Sequence, residues 1–131
     1  DENTRVRGMR DRLEKTLTEK IPRTKVNGNR DSRLPNTANI SFEFIEGEAI
    51  LLRMNELKIA ASSGSACTSG SLEPSHVLRA MGVPFTMIHG SVRFSFSRFN
   101  EDSHVDFVCE HFPKIVEDLR AISPYWNEAN A

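Results

Sequence analysis

The stretch Gly90-Ser-Val-Arg-Phe-Ser-Phe96 alternates small or polar residues with valine and phenylalanine. Successive side chains of a strand point to opposite faces of its sheet, so this period of two predicts a strand with one apolar face toward a core. Arg93 then lies on the opposite, polar face. Ala38 to Phe44 repeats the alternation and predicts a second strand of the same kind.

In the segments before and after these two strands, apolar residues recur at helical spacing. Val6, Met9, Leu13 and Leu17 recur at the helical period, and the Ile21-Pro22 pair ends that helix. In chain order, the predicted elements are a helix over Thr4 to Lys20, a strand over Thr24 to Val26, the strand over Ala38 to Phe44, a helix over Gly47 to Asn55, a strand over Lys58 to Ala61, a helix over Pro74 to Met81, the strand over Gly90 to Phe96 and a last helix opened by Asn100. This order predicts an α+β fold, a small antiparallel or mixed sheet with helices packed on one side.

Length and charge narrow the classes of function. The chain has 131 residues and a formal net charge of −1, which fits one domain and gives no basic field for nucleic acid. Its apolar runs are far shorter than the roughly 20 residues of a membrane span, and the charged N-terminus does not resemble a secretory signal. The two cysteines, Cys67 and Cys109, lie in contrasting contexts that suit a reducing cytosol. We therefore expect a cytoplasmic protein that binds neither nucleic acid nor membrane.

Cys67 lies in a segment of small residues, Ala61-Ser-Ser-Gly-Ser-Ala-Cys-Thr-Ser-Gly-Ser71, within a predicted loop over residues 61–73. A free cysteine usually packs as a small hydrophobe, but this segment offers no large apolar partner. We therefore expect an accessible thiol, whose reactivity depends on how far its pKa is lowered. Taken alone, the segment is equally compatible with an incidental thiol on a flexible connector. Cys109, by contrast, belongs to the apolar stripe of the last helix and is predicted to lie in the core.

One segment around Cys67 reads Ser62-Ser-Gly-Ser-Ala-Cys-Thr-Ser-Gly-Ser-Leu-Glu-Pro-Ser-His-Val-Leu-Arg-Ala-Met-Gly82. It resembles the active-site cysteine segment of cysteine desulfurases of the NifS and IscS group, and its sequence is closer to that of NifS. Leu34-Pro-Asn-Thr-Ala-Asn-Ile-Ser-Phe42, Gly90-Ser-Val-Arg-Phe-Ser-Phe-Ser-Arg-Phe99 and Leu119-Arg-Ala-Ile-Ser-Pro-Tyr-Trp126 extend the resemblance over most of the chain. It implies a homodimeric fold-type I pyridoxal-phosphate enzyme, of which this chain is the small C-terminal domain. Residues 1–20 would be the helix leading from the large domain, and residues 21–131 the small domain itself.

The resemblance implies that L-cysteine is converted to L-alanine and a persulfide on Cys67, with pyridoxal phosphate as electron sink. It also implies that Arg93 holds the substrate α-carboxylate, a role that suits the two parallel donors of a guanidinium. His76 and His89 are weaker candidates. The Ser-x-His-Lys motif of the cofactor lysine is absent from this sequence, so no residue here is assigned to the cofactor and the chain alone is expected to be inactive.

Two other functions are compatible with the sequence. The chain could be a stand-alone carrier that accepts persulfide on Cys67 from another protein, or a module that docks on an iron–sulfur scaffold. The scaffold is also the sulfur acceptor that the desulfurase resemblance implies. No metal site is predicted, because Cys67 has no second cysteine or histidine at ligand spacing.

Overall fold

The computed structural model describes residues 2–28, 36–57, 69–71, 75–124 and 126. Five helices and four strands are formed by these residues. They are α1 (Glu2–Lys20), β1 (Thr24–Val26), β2 (Thr37–Phe42), α2 (Gly47–Glu56), β3 (Ser69–Ser71), α3 (Ser75–Ala80), α4 (Phe85–Ile88), β4 (Ser91–Ser95) and α5 (Asp102–Ala121). None of the helices in this part of the chain is both long and apolar enough to cross a membrane.

The strands form one antiparallel sheet in the order β1-β2-β4-β3. The alternation that predicts β2 and β4 is visible in their burial. Ile40, Val92 and Phe94 have no exposed surface, and they face the core together. The predicted α+β fold is confirmed, with an antiparallel sheet.

The long helices α1 and α5 pack on the apolar face of the sheet, together with α2. Ring contacts join the layers, since Phe112 of α5 lies 5.1 Å from Phe42 and 5.4 Å from Phe94 between ring centroids. The predicted stripes of both long helices are buried. They consist of Val6, Met9, Leu13 and Leu17 on α1, and of Val105, Val108, Cys109, Phe112, Val116 and Leu119 on α5.

A second, smaller apolar cluster forms around α3 and α4. Its buried members are Leu78, Val83, Met87 and Ile88. The α4 turn was not predicted, because four residues are too few to show a helical period. It contacts β2 and lies at the start of β4, where the Ser91 hydroxyl donates to the Met87 carbonyl oxygen at 3.0 Å.

Three predicted boundaries are wrong. The second strand ends at Phe42 rather than Phe44, because Phe44 adopts a left-handed conformation with φ of 71° and turns the chain toward α2. Part of the predicted loop, Ser69–Ser71, forms the edge strand β3. Glu101, rather than Asn100, caps α5, and the Asn100 side chain instead accepts a hydrogen bond from the Ser97 backbone at 2.7 Å. The predicted strand over Lys58 to Ala61 lies outside the described residues.

Arg120 closes the far end of the core. The residue is only 3% exposed. Its guanidinium donates to the carbonyl oxygens of Pro22, Arg23 and Glu43 and lies 4.2 Å from the Trp126 ring centroid. Burial lowers the pKa of Arg120 to about 10. The residue is still charged at neutral pH, so its three carbonyl partners tie the end of α5 to the chain segments that flank β1 and β2.

Gly90 allows β4 to start close against the end of β2. A Cβ atom at Gly90 would lie 2.1 Å from the Phe42 carbonyl oxygen and 2.7 Å from that of Ile45. Both are backbone atoms and cannot rotate away. Because the Phe42 backbone N–H donates to the Gly90 carbonyl at 2.9 Å, this close approach fixes how the two central strands align.

We expect Gly90→Ala to lower the free energy of unfolding by about 3 kcal/mol, since the added methyl group forces two strands apart. Gly8→Ala is the matched control, because a Cβ there meets nothing within 4 Å. That change should raise stability by about 0.5–1 kcal/mol through helix propensity. Urea denaturation followed by circular dichroism measures both, and equal stabilities for the two variants would contradict the close packing at Gly90.

Pro113 lies inside α5 and has no N–H to donate to the carbonyl of Cys109, four residues earlier. The ammonium group of Lys20, at the end of α1, lies 3.4 Å from that carbonyl oxygen. A side chain of the neighbouring helix thus replaces the hydrogen bond that proline removes.

We expect Lys20→Met to destabilise the chain by about 0.5–1 kcal/mol, because the Cys109 carbonyl loses its donor. In a Pro113→Ala background the helix supplies its own N–H, so the same Lys20→Met change should cost little. A double-mutant cycle by urea denaturation measures this difference. Strict additivity of the two changes would show that Lys20 and Pro113 are not linked.

Candidate functional site

Arg93 lies in the middle of β4, on the polar face of the sheet that its alternation predicts. Its neighbours Val92 and Phe94 are completely buried on the opposite face, whereas Arg93 is half-buried. Asn39 of β2 is directly opposite on one side, and Ser71 of β3 is opposite on the other. The guanidinium is therefore carried by a central strand, whose backbone is paired on both sides.

A chain of hydrogen bonds runs across the same face. The Asn27 side-chain NH₂ group donates to Asn39 Oδ1 at 2.8 Å and to Ser41 Oγ at 2.6 Å. Ser41 Oγ is hydrogen-bonded to Ser91 Oγ, which donates to the Met87 carbonyl. Asn27, Ser41 and Ser91 are at most 2% exposed.

This hydrogen-bonded chain could not be predicted from the sequence. Its members belong to three separate segments, and their meeting depends on strand register. The available signal was the pair of serines, Ser41 and Ser91, at polar positions of strands with otherwise strong apolar alternation. Because the register between the strands is not known from the sequence, both serines would be predicted to face solvent.

Cys67 lies outside the described residues. The chain becomes described again at Ser69, two residues later, and that residue pairs with Ser95 of β4. In the sequence, the predicted nucleophile therefore precedes by two residues the strand that pairs with β4.

Cys109 lies in the core, as predicted. It is 7% exposed in the interface between α5 and α1, and burial raises the pKa of its thiol, although a hydrogen bond with Thr16 and the charges of Arg12 and Lys20 act in the opposite direction. A thiol held protonated and covered is a poor nucleophile. Cys109 therefore has a packing role.

We expect iodoacetamide to alkylate Cys109 of the folded chain at least about 100-fold more slowly than of the chain in urea, because only the thiolate reacts and burial disfavours it. Cys67 should be alkylated at similar rates in both conditions. Peptide mass spectrometry quantifies the two sites separately. Rapid labelling of Cys109 without denaturant would contradict its placement in the core.

The two histidine candidates lie on or next to the short helices α3 and α4. His76 is exposed on α3, and His89 is exposed after α4, where its ring contacts Phe85 with centroids 6.3 Å apart. His89 lines a groove of about 560 Å³ between α2, α4 and the end of α5. Phe85 and Ile122, each 76% exposed, form part of its mostly apolar wall, and Arg93 is not among its lining residues. The contact described for His89 is thus with Phe85 and the groove, which supports no catalytic role for it.

The described residues contain no group of three or more metal-ligating side chains. Three of the described lysines make contacts typical of structural residues. Lys20 donates to the Cys109 carbonyl, Lys25 donates to the Gly82 carbonyl at 3.3 Å, and Lys114 pairs with Asp118 at 3.0 Å. Lys15 is exposed on α1.

Comparison with a model of the class-V aminotransferases gives a match over residues 3–108. A cysteine desulfurase of Gluconacetobacter diazotrophicus is 64% identical over 131 residues, which is all of this chain and 33% of the relative. Cysteine desulfurase NifS of Azotobacter vinelandii is 59% identical over 96% of this chain and 31% of its own length. The chain thus spans about a third of the length of these relatives.

Solved structures give the same picture of the fold. A NifS-like protein of Rickettsia africae superposes with a TM-score of 0.71 at 26% identity, covering 88% of this chain and 29% of that protein. A second NifS-like protein superposes with a TM-score of 0.72 at 24% identity and supports the fold alone. The similarity thus extends over most of the described architecture.

Proposed function

Because this chain belongs to the class-V aminotransferase family, we propose that it is the part of a cysteine desulfurase that carries the nucleophilic cysteine and the substrate-binding arginine. The complete enzyme would convert L-cysteine to L-alanine and leave the sulfur as a persulfide on Cys67. The names of the relatives that are about 60% identical over nearly the whole chain support this assignment.

The pairing of β3 with β4 is the observation that carries the proposal. It places Ser71 opposite Arg93 and Ser69 opposite Ser95, so the strand that begins two residues after Cys67 runs beside Arg93. Substrate held at its carboxylate by Arg93 would therefore lie close to the strand that follows the Cys67 segment. Holding two reacting groups in one place is a major source of enzymatic rate acceleration.

In this proposal each of the two residues has a distinct task. Arg93 donates two parallel hydrogen bonds to the α-carboxylate and thereby orients the amino acid. Cys67, as thiolate, attacks the sulfur of the substrate. The carbon–sulfur bond breaks with its electron pair left on carbon, for which bound pyridoxal phosphate would supply the electron sink. The carbon takes up a proton, so the three-carbon remainder leaves as L-alanine and the sulfur remains on Cys67 as a persulfide. A soft, polarisable nucleophile suits attack on sulfur, and a hydroxyl group does not replace it well.

The proposal assigns pyridoxal phosphate to the part of the enzyme outside this chain, because this sequence lacks the Ser-x-His-Lys motif of the cofactor lysine. It also includes a homodimeric complete enzyme in the cytoplasm and an iron–sulfur scaffold protein as acceptor of the persulfide. The chain by itself would form no alanine from L-cysteine, even with added pyridoxal phosphate.

We expect Cys67→Ser in the full-length protein to reduce alanine formation from L-cysteine by about a thousandfold or more, as loss of a catalytic nucleophile does. Mass spectrometry of the wild-type protein after turnover should find one additional sulfur atom on the peptide that contains Cys67. Cys109→Ser is the matched control, and it should retain both alanine formation and the persulfide.

Persulfide on Cys67 without alanine formation by the full-length protein would favour a sulfur carrier that is loaded by another enzyme. Undiminished alanine formation by the Cys67→Ser variant would contradict the nucleophile assignment.

A further inference from the structure

Asn39 and Arg93 form a directly opposed pair on the two central strands of the sheet. Both side chains are half-buried, and the neighbours of Asn39, Ala38 and Ile40, are completely buried on the other face. Cβ atoms of directly opposed residues in an antiparallel pair are about 5 Å apart. The two side chains therefore start from neighbouring positions on the same face, where both can contribute to one anion site.

The hydrogen-bonded chain beside this pair has a direction. Ser91 donates its single hydroxyl proton to the Met87 carbonyl, so it must accept from Ser41. Ser41 has then used its own proton and must accept from the Asn27 NH₂ group at 2.6 Å. Each hydroxyl group donates to one neighbour and must therefore accept a hydrogen bond from the next. The last donor in the chain is the Asn27 NH₂ group.

This direction also sets the orientation of Asn39. The second amide proton of Asn27 goes to Asn39 Oδ1 at 2.8 Å, so the oxygen of the Asn39 carboxamide faces β1. Turning both carboxamides over would require Ser91 to donate to Ser41, and the bond to the Met87 carbonyl would be lost. The Asn39 NH₂ group is consequently on the side of the carboxamide that faces away from Asn27, and β4 with Arg93 lies on the side of β2 opposite β1.

The orientation is maintained at a cost in free energy. Asn27 uses both amide protons on its neighbours, and its own Oδ1 is buried without a partner among the described residues. A buried acceptor without a donor destabilises a fold, so an unsatisfied group of this kind calls for an explanation. One explanation is that this cost keeps the Asn39 amide in the orientation that a ligand requires.

We propose that Asn39 is a second carboxylate-binding residue, which donates its side-chain N–H groups to the substrate α-carboxylate beside Arg93. Asn27, Ser41 and Ser91 are positioning residues that hold this amide with its donors toward the ligand. A carboxylate has two oxygens that accept about four hydrogen bonds, more than the two parallel bonds of one guanidinium fork supply. The inference rests on the proposed function, because it requires an amino-acid substrate at Arg93.

The test measures binding of L-alanine, the reaction product, and of ethylamine, which is the same molecule without its carboxylate. Asn39→Asp in the full-length protein keeps the acceptor for Asn27 and replaces the NH₂ group by an oxygen that repels a carboxylate. We expect the dissociation constant of L-alanine, measured by calorimetry, to rise at least about tenfold, since a hydrogen bond to a charged group is lost. The dissociation constant of ethylamine should change less than about twofold, because no hydrogen bond to it is altered.

Thr37→Val is the matched control. Thr37 is on the same strand and the same face as Asn39, but it is opposite Ser95 rather than Arg93. Both ligands should bind this variant as they bind the wild type. Asn39→Ala provides a second variant if circular dichroism shows that Asn39→Asp does not fold, and it should also weaken L-alanine selectively.

The possible results separate the two hypotheses. If Arg93→Ala weakens L-alanine binding but the folded Asn39 variants do not, the role of Asn39 is wrong and the proposed function stands. If the Asn39 variants weaken the binding of L-alanine and of ethylamine equally, Asn39 has only a structural role and the inference is overturned. If Arg93→Ala also leaves L-alanine binding unchanged, the proposed carboxylate site itself fails.

Discussion

The close contact of Gly90 with the backbone of β2 determines how the two central strands are aligned. Only a residue without a side chain lets β4 begin beneath the Phe42 carbonyl oxygen. With that start point, Asn39 faces Arg93 and Ser41 faces Ser91. A slip of one residue would exchange the two faces of a strand, which would place a charged guanidinium in the core. The steric requirement at one glycine therefore sets both the core and the polar face.

The same two strands thus provide stability on one face and recognition on the other. The apolar face is covered by α1, α2 and α5, and its side chains hold the backbone rigidly. Arg93 takes its position from that rigid backbone, which is how precise binding sites are usually built. Cys67 belongs to a different kind of segment, composed of small residues next to a short edge strand. The proposed chemistry divides its tasks in the same way, with a fixed group for orientation and a separate thiol for sulfur transfer.

Elements with many apolar residues could be predicted from the sequence, and those held by single contacts could not. The alternation around Val92 predicted β4 and the face of Arg93, because burial itself produces that pattern. Ser69–Ser71 contains no apolar residue, so nothing in the sequence marked it as a strand. Capping by Glu101 and the hydrogen bonds of Asn27 depend on partners that are brought together only by folding. The proposed role of Arg93 came from resemblance to a family, whereas Asn39 emerged only from the register.

One border of the described sheet is β1, a strand of only three residues whose flanking residues are also described. A long, flat border exposes a row of backbone donors and acceptors on which another polypeptide can add a strand, and this is a common route to aggregation. A border of three residues presents few such groups. The β1 side of the sheet is therefore a poor template for strand addition.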